Sequence, residues 1–124
     1  MKKILAIDDD TDIHNLLKVF LKNKYDLESS FNGAEAIIRL QNETLLLPDL
    51  ILLDMEMPVM NGMEFKKKMG SIERLKNIPV IYLTANNQYA SKVEHSSDFD
   101  FLNKPIEKED LVYILETFFR HQNA

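Results

Sequence analysis

Short apolar runs alternate along the chain with longer segments of helical spacing. The runs are KILAI (Lys3–Ile7), LILL (Leu50–Leu53), PVIYL (Pro79–Leu83) and FDFL (Phe99–Leu102), with YDLESS (Tyr25–Ser30) a weaker member. Between them, Ile13, Leu16, Leu17, Phe20 and Leu21 fall at steps 0, 3, 4, 7 and 8, one face of an amphipathic helix. Leu111, Ile114, Leu115 and Phe118 repeat that spacing near the end. GAEAIIRL (Gly33–Leu40) and NGMEFKKKM (Asn61–Met69) read as two further helices, and NNQYASKVEH (Asn86–His95) as a weaker one. Strands buried on both faces are continuously apolar rather than alternating. Five strand–helix repeats therefore predict a parallel sheet with helices on both sides, a three-layer α/β fold of five strands and five helices.

No repeat, low-complexity stretch or Gly/Ser/Pro-rich linker interrupts this order, so residues 1–124 are expected to form a single domain. A formal net charge of −5 argues against broad nucleic-acid binding. With no cysteine, disulfides, thiolate metal sites and cysteine nucleophiles are excluded. The opening MKKILAI is too short in its apolar part for a signal peptide, and no apolar run approaches a membrane span. A soluble cytoplasmic protein without membrane insertion is expected.

In open parallel sheets, sites form beyond the carboxyl ends of the strands. The first run ends in Asp8 and Asp9, the third in Asp54, the fourth in Thr84 and the fifth in Lys104. Topology thus gathers three carboxylates, a hydroxyl and an ammonium at one edge. Crowded carboxylates repel unless a cation joins them. A hard divalent ion such as Mg²⁺ takes oxygen ligands, and Mg²⁺ with Lys104 and Thr84 suits phosphoryl transfer, in which positioning and charge stabilisation dominate. One carboxylate would then be the acceptor, forming an acyl phosphate. Any single acid at a strand end has a plainer reading as a helix cap, and that reading fits Asp10 before a helix starting at Thr11, with Asp12 in its first turn.

The stretches ILAIDDD, DLILLDMEMPVMNGMEF, IPVIYLTA and FLNKP, in that order, resemble the receiver domain of two-component response regulators, including the stand-alone chemotaxis receiver. The resemblance implies a flavodoxin-like doubly wound sheet of order 2-1-3-4-5. It implies that Asp54 is the phosphoacceptor, that Asp9 ligates the metal directly and Asp8 through water, and that Asp54 and the backbone carbonyl of Glu56 complete the protein's share of the shell around Mg²⁺, with Mn²⁺ as an alternative. Thr84 is then the switch hydroxyl, Lys104 the lysine that pairs with the phosphoryl group, Phe101 the aromatic switch position, and Pro105 the residue after a cis peptide bond. The implied donor is a phosphohistidine on a sensor histidine kinase or histidine phosphotransfer protein. By the same resemblance the domain would catalyse its own phosphorylation and dephosphorylation without being a conventional enzyme. The resemblance further implies that phosphorylation would reshape the face of the fourth helix, fifth strand and fifth helix for an unknown downstream protein, or for a phosphorylation-dependent dimer.

Three features depart from the family pattern. TANNQYASKVEHSSDFDFLNK (Thr84–Lys104) is short, with Ser97 and Asp98 in place of a Gly-Ala pair, which points to an altered fourth helix and partner surface. Glu56 is acidic two residues after Asp54, where it would compete with phosphate or water and alter hydrolysis. Asn86, two after Thr84, is uncharged; in the family these two positions tune phosphate lifetime. Lys66–Lys68 reads as a solvated helix face, Leu45–Leu47 as loop packing and the six methionines as core filler. His14, His95 and His121 share no motif and receive no role. A dehalogenase-type aspartate motif fails at Asp12, an EF-hand fails at Ile13 and Val19, and no phosphate-cradling loop supports a flavodoxin. The surviving alternative is a pseudo-receiver, a phosphorylation-independent interaction module. The chain ends at RHQNA soon after the last helix, as expected of a stand-alone receiver or of a domain excised from a longer protein.

Overall fold

The computed structural model describes residues 1–85 and 100–122. Five parallel strands, β1 (Lys3–Ile7), β2 (Asp26–Ser30), β3 (Leu50–Asp54), β4 (Val80–Thr84) and β5 (Asp100–Asn103), lie in the order β2-β1-β3-β4-β5. Four helices accompany them among the described residues: α1 (Thr11–Leu21), α2 (Gly33–Gln41), α3 (Gly62–Gly70) and α4 (Lys108–Gln122). This is the flavodoxin-like doubly wound order expected from the sequence. The helix expected at Asn86–His95, with Asn86, His95, Ser97 and Asp98, lies outside the described residues.

The period of two along each strand divides the core into two layers. Ile4 and Ala6 of β1, Leu50 and Leu52 of β3, and Ile81 and Leu83 of β4 pack with Leu17, Leu21, Leu111, Leu115 and Phe119 of α1 and α4. Their neighbours Leu5, Ile7, Ile51, Leu53, Val80 and Tyr82 pack with Ala36, Ile37, Leu40, Phe65 and Met69 of α2 and α3. Burial on both faces is why the central strands carry no polar alternation until their last residues.

Side-chain caps fix three of the βα connections. Asp10 caps α1 by accepting from the Asp12 amide at 2.9 Å, the role expected of it. Asn32 caps α2 through Glu35 N at 2.7 Å. Asn61 and Glu64 form a reciprocal capping box on α3. Lys67 and Lys68 are exposed and Lys66 half-buried, a largely solvated face as expected. Leu47 packs on the core, whereas Leu45 and Leu46 are exposed. The buried stripe of α1 is His14, Leu17 and Leu21, and that of α4 includes Phe119, which is more buried than Phe118. Ile13, Leu16 and Phe20 of α1 and Ile114 and Phe118 of α4 are half-buried against the same core, so both expected faces hold, with His14 and Phe119 added beside them.

Gly62 opens α3 directly under the end of β3. A Cβ there would lie 2.8 Å from the Asp54 carbonyl oxygen and 2.9 Å from Met55 Cα, both backbone atoms that cannot step aside. The Gly62 amide also donates to the Met55 carbonyl at 3.1 Å. Gly62→Ala is expected to destabilise the domain by about 2 kcal/mol through overpacking. Urea titration would measure this, and an unchanged midpoint would show that the turn relaxes without loss.

Candidate phosphorylation site

Asp8 and Asp9 follow β1, Asp54 closes β3, Thr84 closes β4, and Lys104 follows β5. The register aligns them: Ile7 pairs with Leu53, Asp54 with Leu83, and Thr84 with Asn103. The Lys104 amide donates to the Thr84 carbonyl at 2.9 Å, extending the β4–β5 ladder by one bond. The Lys104–Pro105 peptide is cis, as expected.

Lys104 is the centre of the charge arrangement. Its Nζ lies 3.0 Å from Asp8 Oδ2 and 3.3 Å from Asp54 Oδ1. Asp8 is fully buried and Asp54 is 2% exposed. Carboxylate oxygens of Asp8, Asp9 and the buried Asp54 all lie within 4.8 Å of one another, with Asp9 on the solvent side. The donor set is purely oxygen. Such a set suits a hard divalent cation, which would neutralise the carboxylates gathered around it. The residues therefore fit a divalent ion.

Burial pushes the Asp54 carboxyl up to about 6; the Glu56 amide lowers it, Asp8 raises it and Lys104 lowers it. For Lys104, burial works against the ammonium, but the two carboxylates outweigh it and hold the group above the ordinary lysine range. One lysine thus faces two buried acids, a surplus of negative charge that a cation would remove.

Backbone amides orient the acids. The Asp10 amide donates to Asp8 Oδ1 at 2.9 Å, and the Glu56 amide to Asp54 Oδ1 at 3.1 Å. Thr84 is fully buried, and its hydroxyl donates to Glu56 Oε1 at 2.7 Å. Thr84 therefore joins the pocket through Glu56, which is a neighbour of both. Phe101 stands apart from the charges: it is half-buried and stacks on Tyr82, with ring centroids 5.2 Å apart and planes at 25°.

His14 is a site neighbour for which the sequence suggested no role. It is buried on α1, with Nε2 2.8 Å from the Asp8 carbonyl oxygen and its ring 4.6 Å from that of Phe31. With Nε2–H donating, it fixes the backbone of the acid beside it. Its spacing of 3 and 7 from Leu17 and Leu21 was the available signal.

Fold and pocket together define a doubly wound domain whose charged residues gather at the carboxyl edge of the sheet. A family model described as the response regulator receiver domain matches residues 4–116. The CpxR homolog of Haemophilus influenzae, a transcriptional regulatory protein, is 36% identical over 124 residues, which cover 97% of this chain and 51% of that protein. The transcriptional regulator RpaA of Synechocystis is 33% identical over 118 residues, 90% of this chain and 46% of its own. The chain spans about half the length of these relatives. Among solved structures, the chemotaxis response regulator CheY4 of Vibrio cholerae superposes with a TM-score of 0.80 at 29% identity, covering 94% of this chain and 98% of its own. The receiver domain of the Francisella response regulator 1452 gives 0.80 at 28%, covering 98% and 99%. The chain belongs to the response regulator receiver domain family of two-component signalling, and the acidic pocket of Asp8, Asp9 and Asp54 fits that family's phosphorylation site. No helix among the described residues is long and apolar enough to cross a membrane.

Proposed function

We propose that this domain accepts a phosphoryl group onto Asp54 from a phosphohistidine on a sensor histidine kinase or histidine phosphotransfer protein. The observation that carries this reading is the seat of Asp54: buried at the end of β3, 3.3 Å from the Lys104 ammonium, and within shared-ligand range of Asp8 and Asp9. A carboxylate oxygen of Asp54 attacks phosphorus, a P–O bond forms, and the P–N bond to the donor imidazole breaks with the electron pair leaving on nitrogen. Lys104 would neutralise the phosphoryl oxygens and Thr84 would hydrogen-bond one of them.

Asp9, Asp54 and the Glu56 carbonyl would hold Mg²⁺, with Asp8 acting through water, and Mn²⁺ could take the same oxygen set. When bound, the ion supplies charge neutralisation for the carboxylates and the phosphoryl oxygens. Water attacking the acyl phosphate restores Asp54. Phosphorylation adds about −1.5 to −2 charge, and movement of Thr84 with Phe101 would carry that change to the face of β5 and α4, where a downstream protein or a second phosphorylated copy docks. The setting is cytoplasmic, and no direct contact with nucleic acid is invoked for this domain.

Acetyl phosphate and Mg²⁺ provide the test. Intact-protein mass spectrometry is expected to show one added phosphoryl group, lost on hydroxylamine treatment as an acyl phosphate requires, and absent when EDTA replaces Mg²⁺. A folded protein that takes no label would instead be the phosphorylation-independent interaction module.

A further inference from the structure

Glu56 does more than follow the phosphoacceptor. Its carboxylate spans from the β3 end to the β4 end: Oε1 accepts from the Thr84 hydroxyl at 2.7 Å, and Oε2 lies 3.5 Å from the Ala85 amide, at the outer limit of a hydrogen bond. One anionic group thus engages a hydroxyl and a backbone N–H on adjacent residues. Its own amide is meanwhile held on Asp54 Oδ1 at 3.1 Å. The Thr84 hydroxyl is the same donor assigned above to phosphoryl oxygens, and the Ala85 amide stands next to it. The Thr84 side chain is buried, whereas Glu56 is exposed as a residue. The carboxylate can therefore swing into solvent while the hydroxyl stays in place.

We propose that the Glu56 carboxylate is an internal surrogate for the phosphoryl group, seated on Thr84 and Ala85 in the unphosphorylated protein and displaced when Asp54 is phosphorylated. The inference rests on the reading of Asp54 as phosphoacceptor. Loading the site is then an exchange of one anion for another on the same donors. The unphosphorylated domain already holds Thr84 turned toward the site. Two consequences follow: anionic phosphoryl mimics bind more weakly than the pocket alone would allow, and the reach of the side chain, not only its charge, sets the penalty.

The experiment titrates beryllofluoride in the presence of Mg²⁺ into wild type, Glu56→Ala and Glu56→Asp, followed by amide NMR. Glu56→Ala is expected to bind about tenfold more tightly, the scale of one hydrogen bond to a charged acceptor. Glu56→Asp keeps the charge but is one methylene too short to reach Thr84, so it should follow Glu56→Ala. Before any ligand is added, both variants should shift the Ala85 amide resonance. Equal affinity of wild type and Glu56→Ala overturns the surrogate, as does a Glu56→Asp that matches wild type, which would reduce the effect to charge repulsion. An Ala85 amide unmoved in both variants overturns it as well. If wild type and Glu56→Ala alike fail to bind beryllofluoride while folded, it is the phosphoacceptor reading that falls.

Discussion

Replacing Asp54 with asparagine is expected to abolish phosphoryl labelling completely while making the metal-free protein more stable. Both effects come from one carboxylate. The amide side chain cannot form an acyl phosphate, so labelling by acetyl phosphate and Mg²⁺ should drop to background. The stability gain follows from the folded-state pKa, raised from 3.8 to about 6 mainly by burial. A raised carboxyl means that the folded state binds more protons than the unfolded chain between those values. Stability contributed by the neutral form is thus present below about pH 4 and is lost as pH rises through 6. Fully developed, the shift corresponds to at most roughly 3 kcal/mol. The pH dependence serves as an internal control, because a general effect of the substitution on packing would not follow the titration of one carboxyl. In EDTA, urea midpoints of wild type and Asp54→Asn should coincide near about pH 4, diverge up to about pH 6.5, and stay apart at neutral pH. Equal midpoints at neutral pH would mean that Lys104 already balances both acids.

The sequence disclosed the fold more fully than the pocket, for physical reasons. Central strands such as LILLD and VIYLT are buried on both faces, and the run of apolar residues ending in a polar one marks both the strand and the edge where chemistry gathers. Asp8, Asp54 and Lys104 were legible because a parallel sheet brings its strand ends together whatever the side-chain details. Side-chain length was not legible. Nothing in the letter for glutamate at position 56 states that its carboxylate crosses to β4, since that depends on the turn held by the Glu56 amide on Asp54. The burial of His14 was obscured in the same way: Ile13 and Leu16 keep the apolar period against the core, and the polar His14 beside them is buried with its ring on the Asp8 carbonyl. A polar residue on a buried face is decided by its partner, and the partner here is a backbone atom that a one-letter sequence does not display.

Lys104→Met should weaken the domain in the absence of metal and make its stability unusually sensitive to Mg²⁺. The ammonium sits 3.0 Å from Asp8 and 3.3 Å from Asp54, and both acids are buried. Removing one partner of a buried ion pair typically costs about 3–5 kcal/mol, because the charge left behind keeps its desolvation penalty. Two considerations lower that figure. The lysine is 18% exposed, so water can enter where the ammonium stood. Asp54, already raised to about 6, will take up a proton more readily once Lys104 is gone rather than remain charged beside Asp8. A loss of about 2–3 kcal/mol at neutral pH is expected, with the methionine stem preserving the apolar packing. Mg²⁺ offers the abandoned carboxylates another cation, so millimolar Mg²⁺ should raise the melting temperature of Lys104→Met more than that of wild type. Phosphorylation should not recover in parallel, since removing a preorganised donor to developing charge slows such transfers by about 10²-fold or more. Thermal melts with and without Mg²⁺, paired with acetyl phosphate labelling, separate the two roles. A variant as stable as wild type in EDTA would show that the Lys104 contacts contribute no net stability. Full labelling would show that the ammonium has no part in the transfer.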